Sequence, residues 1–475
     1  MDGVIESTGR FVGVTPGSAP AGRRTPGGWP CVGVDRRGVA LHFDPEIPGE
    51  SDRAGQAGPS GQTDHTTAHR LRVTVAVDVR EPAELVVRAE RGGRVLGRLG
   101  CEFACALQPC DLVLSESDAA SARTEGLHLS RADAEGPVYL LAGGTTEPAF
   151  VPQLLSCDGP AGWGRFRARL DSMASLTQFG WMEGCVLDAL LDLGMHRTLD
   201  RHLDFFFPRG QLVAEDFHSR PIDNTLNSIE STNIFAALIR RRPDHPAIAR
   251  MLELFEKHRR PDGVICGGMH AAEHCYTVAH PLAVLAAVRG DAALADRAVT
   301  QLRSHLEVLR DTSGYWLRQY EDGRKTYRNW SRGVAWLLLG LARTLAALPA
   351  DRRTAELTQP LAEAVPRLAA WQGSDGLWRA YLDDPKTAAE TSGSAGIAAA
   401  LALAARHGWV DGQARRLAER CRDGLANYLL HDGLLGGMSP SNKVEAGEDV
   451  QRSPRRIAGG AAMGLTGQLL ASLDR

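Results

Sequence analysis

One local pattern recurs five times in this chain of 475 residues: a helical run, a turn at Gly, a short apolar or aromatic piece, a polar loop, then another helical run. The turns are Arg209-Gly210-Gln211-Leu212, Asp262-Gly263-Val264-Ile265, Ser313-Gly314-Tyr315-Trp316, Asp375-Gly376-Leu377-Trp378 and Asp432-Gly433-Leu434-Leu435. They lie roughly 50 to 60 residues apart, the span of one helix pair. Gly supplies the positive φ that ends a helix and starts a tight turn. The unit reads as outer helix, turn, loop, inner helix. Five joints and one closing joint make six hairpins in a ring, so the spacing predicts a mainly α chain with an (α/α)6 barrel over 160–475. An open solenoid is the alternative, and it calls for capping repeats.

Inner helices are expected to begin near Gly180, Asn227, Glu273, Ser331, Thr391 and Arg456. Several are rich in Gly and Ala, as in Gly393-Ser394-Ala395-Gly396-Ile397-Ala398, and small residues let helices approach closely around an axis. The outer candidates, such as Asp291 to Val308 and Asp411 to Tyr428, carry charges on one face and apolar residues at i, i+3 and i+4.

Residues 1–155 follow a different period and predict a β-sandwich-like domain. Arg72 to Arg80 alternates with period two, placing four Val on one face and Arg72, Thr74, Asp78 and Arg80 on the other. Glu84 to Ala89 and Val138 to Leu141 read as further strands, and Arg91-Gly92-Gly93-Arg94 as a hairpin turn. The stretch 45–68, rich in Gly, Ser, Pro and Asp, reads as a mobile loop.

Composition narrows the partners. The formal net charge is −3 and no long basic run occurs, which argues against nucleic acid. No apolar run reaches the roughly 18 to 20 residues that span a bilayer. Met1 to Glu6 has neither a basic nor an apolar region and does not read as a signal peptide. The nine scattered Cys suggest reduced, buried thiols and a cytoplasmic setting. Oligomeric state is not legible.

In a ring of this kind the segments before the inner helices gather at one end. There the positive ends of the helices favour an anionic ligand, by roughly 0.3 to 1 kcal/mol per terminus. The same segments hold Asp216, His218, Asp223, Glu230, His270, Glu273, His274, Trp330, Arg332, Trp378, Asp383, Asp384 and Glu390. Aromatic rings stack on sugar faces, carboxylates move protons, and Arg grips a carboxylate as a fork. The group therefore points to an acidic carbohydrate. Taken singly, each residue is better explained as a solvated loop or a helix cap.

Two segments resemble a known family. Asn329-Trp330-Ser331-Arg332-Gly333-Val334-Ala335-Trp336 is similar to the Trp-x-Arg-Gly-x-x-Trp that opens an inner helix in glycoside hydrolase families 88 and 105, the unsaturated glucuronyl and rhamnogalacturonyl hydrolases. Gly376-Leu377-Trp378, Leu382-Asp383-Asp384-Pro385 and Glu390-Thr391-Ser392-Gly393-Ser394-Ala395 resemble their Leu-Trp, Leu-Asp-x-Pro and Glu-Thr-Ser-x-x-Ala signature. The resemblance covers about 175–473 and leaves out the β region. It implies an (α/α)6 barrel acting on the 4,5-unsaturated uronic acid at the end of a lyase product. A carboxyl group protonates the enol-ether double bond and helps water add; the hydrated ring opens and releases the aglycone. No metal and no other cofactor is implied.

Carried over residue by residue, the resemblance makes Glu273, in Glu273-His274-Cys275-Tyr276-Thr277, the counterpart of the family's catalytic Asp. Asn227 falls where a second family Asp stands, with Asp223 and Glu230 one turn either side. Expected catalytic residues are Glu273, Asp223 and Glu230. Expected substrate contacts are Trp181, Asn227, His270, His274, Trp330, Arg332, Trp336, Trp378 and Glu390. Glu390 and Thr391 are expected to support the site as helix-capping groups.

The string His270-Ala271-Ala272-Glu273-His274 also matches the His-x-x-Glu-His of inverted zinc proteases, which on a helix would put both His on one face. It is short and lacks a third ligand, so a polar helix entrance is the preferred reading. Three function classes stand: a hydrolase of unsaturated uronides, an inverting glycosidase or epimerase on the same barrel, and a non-catalytic carbohydrate-binding protein.

Overall fold

The structure is a computed structural model that describes residues 5–12, 28–43, 69–101, 103–132, 136–143, 146–156, 162–214, 226–441, 447–453 and 457–474. The stretch 45–68, Asp216, His218, Asp223 and the expected helix start at Arg456 lie outside the described residues. The chain divides into two compact units, Met1–Arg165 with Leu430–Asp432, and Phe166–Leu429 with Gly433–Arg475.

The first unit holds β1 (Ile5–Val12), β2 (Cys31–Val34), β3 (Val39–Phe43), β4 (His69–Thr74), β5 (Glu84–Ala89), β6 (Val95–Gly100), β7 (Pro109–Leu114), α1 (Glu116–Glu125), β8 (Leu127–Arg131), β9 (Val138–Leu141) and β10 (Gln153–Ser156). Eight strands run in the order β6-β5-β8-β3-β1-β10-β4-β7, and β2 pairs with β9 apart from them. The first half of β1 pairs with β10 and the second half with β3, so this strand bridges two antiparallel groups. The two edges, β6 and β7, pack together at Gly97, where a Cβ would fall 2.6 Å from Leu112 Cδ1. Inward apolar residues such as Leu41, Leu71, Val73, Leu85, Leu99 and Leu129 fill the space between.

The strand expected over 72–80 ends at Thr74, and its polar face is not solvated. Arg72 is 1% exposed, and its Nε and Nη2 donate to the two carboxylate oxygens of Asp111 at 2.7 Å each. Asp432 supplies a second carboxylate. Two anions compensate the buried cation, which alternation alone cannot reveal.

The second unit contains α2 (Trp163–Leu170), α3 (Trp181–Asp192), α4 (His196–Phe206), α5 (Ile234–Arg241), α6 (Ala247–Lys257), β11 (Met269–Ala271), α7 (His280–Arg289), α8 (Ala292–Leu309), β12 (Arg310–Asp311), β13 (Gly314–Tyr315), β14 (Arg318–Tyr320), β15 (Lys325–Thr326), α9 (Ser331–Ala347), α10 (Ala355–Trp371), α11 (Thr391–Arg406), α12 (Gly412–Leu425), α13 (Gly447–Arg452) and α14 (Ala461–Leu473). Among the described residues no helix is long and apolar enough to cross a membrane.

All five predicted turn glycines have positive φ: 77° at Gly210, 86° at Gly263, 139° at Gly314, 81° at Gly376 and 81° at Gly433. None of the five is itself a helix cap: each lies in the turn a few residues beyond a helix, Gly314 within β13. The preceding helices are buried on one face, as in α4, where Leu199, His202, Leu203 and Phe206 turn inward. The helices that follow are buried all round; every residue of α14 is. Packing runs α3 to α5, α5 to α7, α7 to α9, α9 to α11, α11 to α14, and α14 back to α3. Small residues set these contacts. At Gly340 a Cβ would lie 2.5 Å from the backbone of Cys275 and Tyr276, and at Gly396 it would lie 2.7 Å from Ala335 Cβ.

Two inner helices start later than expected. After Asn227 a turn of 3-10 helix, Ile229–Ser231, intervenes, and α5 begins only at Ile234. The Ser228 hydroxyl caps that turn by accepting from the Glu230 N–H at 3.2 Å. The last inner helix begins at Ala461.

Candidate active site

Glu273 opens the third inner helix, which makes a π-helical turn over Cys275–Ala279 before continuing as α7. In that turn the Thr277 carbonyl accepts from the Thr232 hydroxyl, so a neighbouring side chain takes part of the backbone bonding. Before it, β11 pairs with β14, placing Ala271 opposite Arg318. This short ladder brings Arg318 beside Glu273. Arg318 Nη2 lies 3.5 Å from Glu273 Oε1 and 3.9 Å from Glu230 Oε1, with side-chain exposures of 6% for Arg318, 11% for Glu273 and 27% for Glu230. Glu273 Oε2 and Arg318 Nε are buried and have no partner among the described residues.

Burial pushes the Glu273 carboxyl up to about 7; Arg318 pulls it down, and the charge of Glu230 pushes it up again. A carboxyl so placed still carries a proton near neutrality.

The same helix carries Tyr276 into an aromatic cluster. Tyr276 stacks on Trp336 with ring centres 5.9 Å apart, and Trp181 meets Trp336 edge-on at 5.4 Å. The Tyr276 hydroxyl donates to Asp188 Oδ2 at 2.7 Å, which fixes the ring. Trp181 is partly exposed, whereas Trp330 and Trp336 are buried.

The histidines form a relay. His305 Nδ1 donates to the Gln301 carbonyl at 2.9 Å, since a carbonyl only accepts. Burial holds His305 neutral, far below its ordinary range. Its Nε2 is therefore the acceptor for His274 Nδ1–H, 3.2 Å away. His270 sits on β11 against Ser304, not on the helix with His274, so the inverted zinc-protease string has the wrong backbone for its motif. Among the described residues no group of three His, Cys, Asp or Glu is arranged to hold a metal.

Other predicted residues do different work. Arg332 is 1% exposed and donates to the carbonyls of Ser439 at 3.0 Å and Pro440 at 2.7 Å. Its guanidinium also lies 4.7 Å from the centre of the Trp330 ring. Trp378 is in the core, its Nε1 donating to the Leu368 carbonyl at 2.9 Å. Asn227 is exposed, ahead of the turn that carries Glu230.

Glu390 is fully buried and caps α11, its carboxylate accepting from the backbone N–H of Ser392 and Gly393, from the Ser392 hydroxyl at 2.6 Å and from Ser439 N–H at 2.8 Å. The capping group is thus this carboxylate; the Thr391 hydroxyl, expected to share the task, donates instead to the Gly436 carbonyl at 2.8 Å. Glu390→Gln would turn an amide NH₂ toward donors. It is expected to lower stability by about 2 kcal/mol in urea unfolding. An unchanged midpoint would show that the cap is dispensable.

Sequence reasoning missed Arg318 and His305. Arg318 follows the apolar run Tyr315-Trp316-Leu317 after a turn glycine, and a lone Arg beside such a run was the available signal.

The family model described as Glycosyl Hydrolase Family 88 matches residues 167–466. A 24.9 kDa protein in the picA locus of Rhizobium radiobacter is 33% identical over 138 residues, covering 26% of this chain and 59% of that protein. The chain thus spans less than two thirds of the length of this curated relative. A possible member of glycoside hydrolase family 105 from Salmonella enterica serovar Paratyphi A is 20% identical with TM-score 0.54, over 62% of this chain and 82% of that one. A glycoside hydrolase of family 105 from C. acetobutylicum is 19% identical with TM-score 0.54, over 65% and 98%. At these identities the solved structures share the fold with this chain.

Proposed function

The chain belongs to Glycosyl Hydrolase Family 88, and on that premise we propose that its helical unit, an (α/α)6 barrel, hydrolyses oligosaccharides ending in a 4,5-unsaturated uronic acid. The observation that carries this reading is the buried Glu273 carboxyl, with one oxygen unpartnered among the described residues and a proton retained to about 7.

In this reading the protonated Glu273 gives its proton to the ring carbon of the enol ether. The ring oxygen stabilises the cation that forms next to it. Glu273, now a carboxylate, takes a proton from the water that adds there, and the resulting hemiketal opens and releases the aglycone. Glu230, whose carboxylate shares Arg318 with Glu273, is best placed to hold that water. Trp181 offers its ring to the sugar, backed by Trp336. The β11–β14 ladder holds Arg318 where it attracts the uronate carboxylate and restrains both glutamates. Half-buried His270 stands on the approach, while buried His274 supports the helix start from behind through His305.

Arg332 acts through position: its fork holds the 439–440 loop and the Trp330 ring. Arg332→Lys keeps the charge and loses the planar fork. It is expected to raise KM about tenfold with kcat nearly unchanged; an unaltered KM would leave Arg332 a purely structural group.

Absorbance of the enol-ether band separates the function classes. Loss of the band with lyase-derived disaccharides supports this reading. Turnover of saturated uronides without it supports a glycosidase or epimerase, and binding without turnover of either supports a binding protein.

A further inference from the structure

The outer face of the β5–β6–β8 region gathers cations that the catalytic reading does not use. Strand register puts Val86 opposite Arg98 on one side and Ser130 on the other, and Arg88 opposite His128. Directly opposed residues share a face, so Arg88, Arg98, His128 and Ser130 stand together. With Arg36 and Arg131 they line an open groove of about 570 Å³. Gly38, at φ +77°, leaves His128 room: a Cβ there would lie 2.6 Å from the His128 Nε2.

Among the described residues the nearby glutamates are engaged. Glu84 pairs with Arg98, Glu81 with Arg131 at 3.0 Å, and Glu90, at one end of the same face, with His42. Arg88 has only the Ser130 hydroxyl, at 3.0 Å, and exposed Arg36 has no carboxylate partner among the described residues. Four arginines thus line a groove with two glutamates paired to them. Their planar forks match carboxylates, and Ser130 and His128 add donors for hydroxyl groups. Among the described residues no Trp, Tyr or Phe lines the groove, which argues against the stacking platforms of a single-stranded nucleic-acid site.

We propose that this groove binds the uronate carboxylates of an acidic polysaccharide chain, giving the first unit a glycan-holding role of its own. The choice of a glycan rests on the function proposed above.

The test uses the full chain and a long saturated oligogalacturonate carrying a fluorescent label, with binding read by anisotropy at low ionic strength. Arg36→Gln with Arg88→Gln, which removes both charges and keeps polar side chains, is expected to weaken binding about tenfold. Turnover of an unsaturated disaccharide should be unchanged in that variant. The fully methyl-esterified oligomer should not bind, and single-stranded DNA of equal charge should bind more weakly. Full binding by the variant, equal binding of DNA or of the ester, or no binding by the wild type would overturn the proposal. Loss of all binding in Arg318→Gln with none in the groove variant would do the same and leave the catalytic reading standing. Groove binding without any turnover of unsaturated disaccharides would instead count against the catalytic reading alone.

Discussion

Glu273→Gln is expected to lower kcat on an unsaturated disaccharide by roughly 10² to 10⁴, the range for a positioned acid or base. The amide keeps the shape and still accepts from Arg318, so the fold survives. What it lacks is the proton. The same substitution has a signature in stability. The folded-state carboxyl titrates near 7, against 4.5 for the ordinary group. The native state therefore keeps a proton that the unfolded chain releases. Its contribution to stability is full below the ordinary value and is lost as pH rises through about 7. The difference amounts to at most about 3 kcal/mol. Gln does not titrate, so the variant should gain on the wild type in urea unfolding as pH rises over that window. Wild-type turnover in a folded Glu273→Gln protein would move the proton donor to Asp223 or Glu230.

Gly464→Ala is the change expected to damage the fold most. Gly464 lies in α14 where that helix meets α3; a Cβ there would sit 2.5 Å from Val186 N and 2.7 Å from Cys185 O. Those are backbone atoms inside a helix, and no rotamer change moves them. The two helices would have to part at the contact that closes the ring. Overpacking of this kind typically costs 1 to 3 kcal/mol, and against rigid backbone we expect about 3 kcal/mol or more. Gly164 in α2 is the control: nothing lies within 4 Å of its Cβ position, and Ala should leave stability unchanged or raise it. Near-native stability of Gly464→Ala would mean that α14 and α3 do not close on each other.

The sequence made the helical unit legible because its joints are local. A turn glycine with positive φ is a property of a few neighbouring residues, and all five appear where the spacing put them. Close helix approach was also readable, since only Gly or Ala permits it. Glu273 could be singled out in the sequence because it opens a helix within a recognisable string. The partners of buried charges were not readable. Arg72 looked solvent-facing and is enclosed by Asp111 and Asp432; Arg332 looked free to grip a ligand and instead holds the carbonyls of Ser439 and Pro440. Each partner lies far away in sequence, as Arg318 does from Glu273, and no periodicity encodes such meetings. Trp378 shows the same limit, since its loop position hid a place in the core.

The central claim is that a buried, protonated Glu273 starts the reaction, and the pH dependence of kcat/KM on an unsaturated disaccharide tests it most directly. The acid form is the active one, so the rate should hold level on the acid side and fall about tenfold per pH unit above roughly 7. A rate that stays flat through this range, or climbs with pH, would contradict the account.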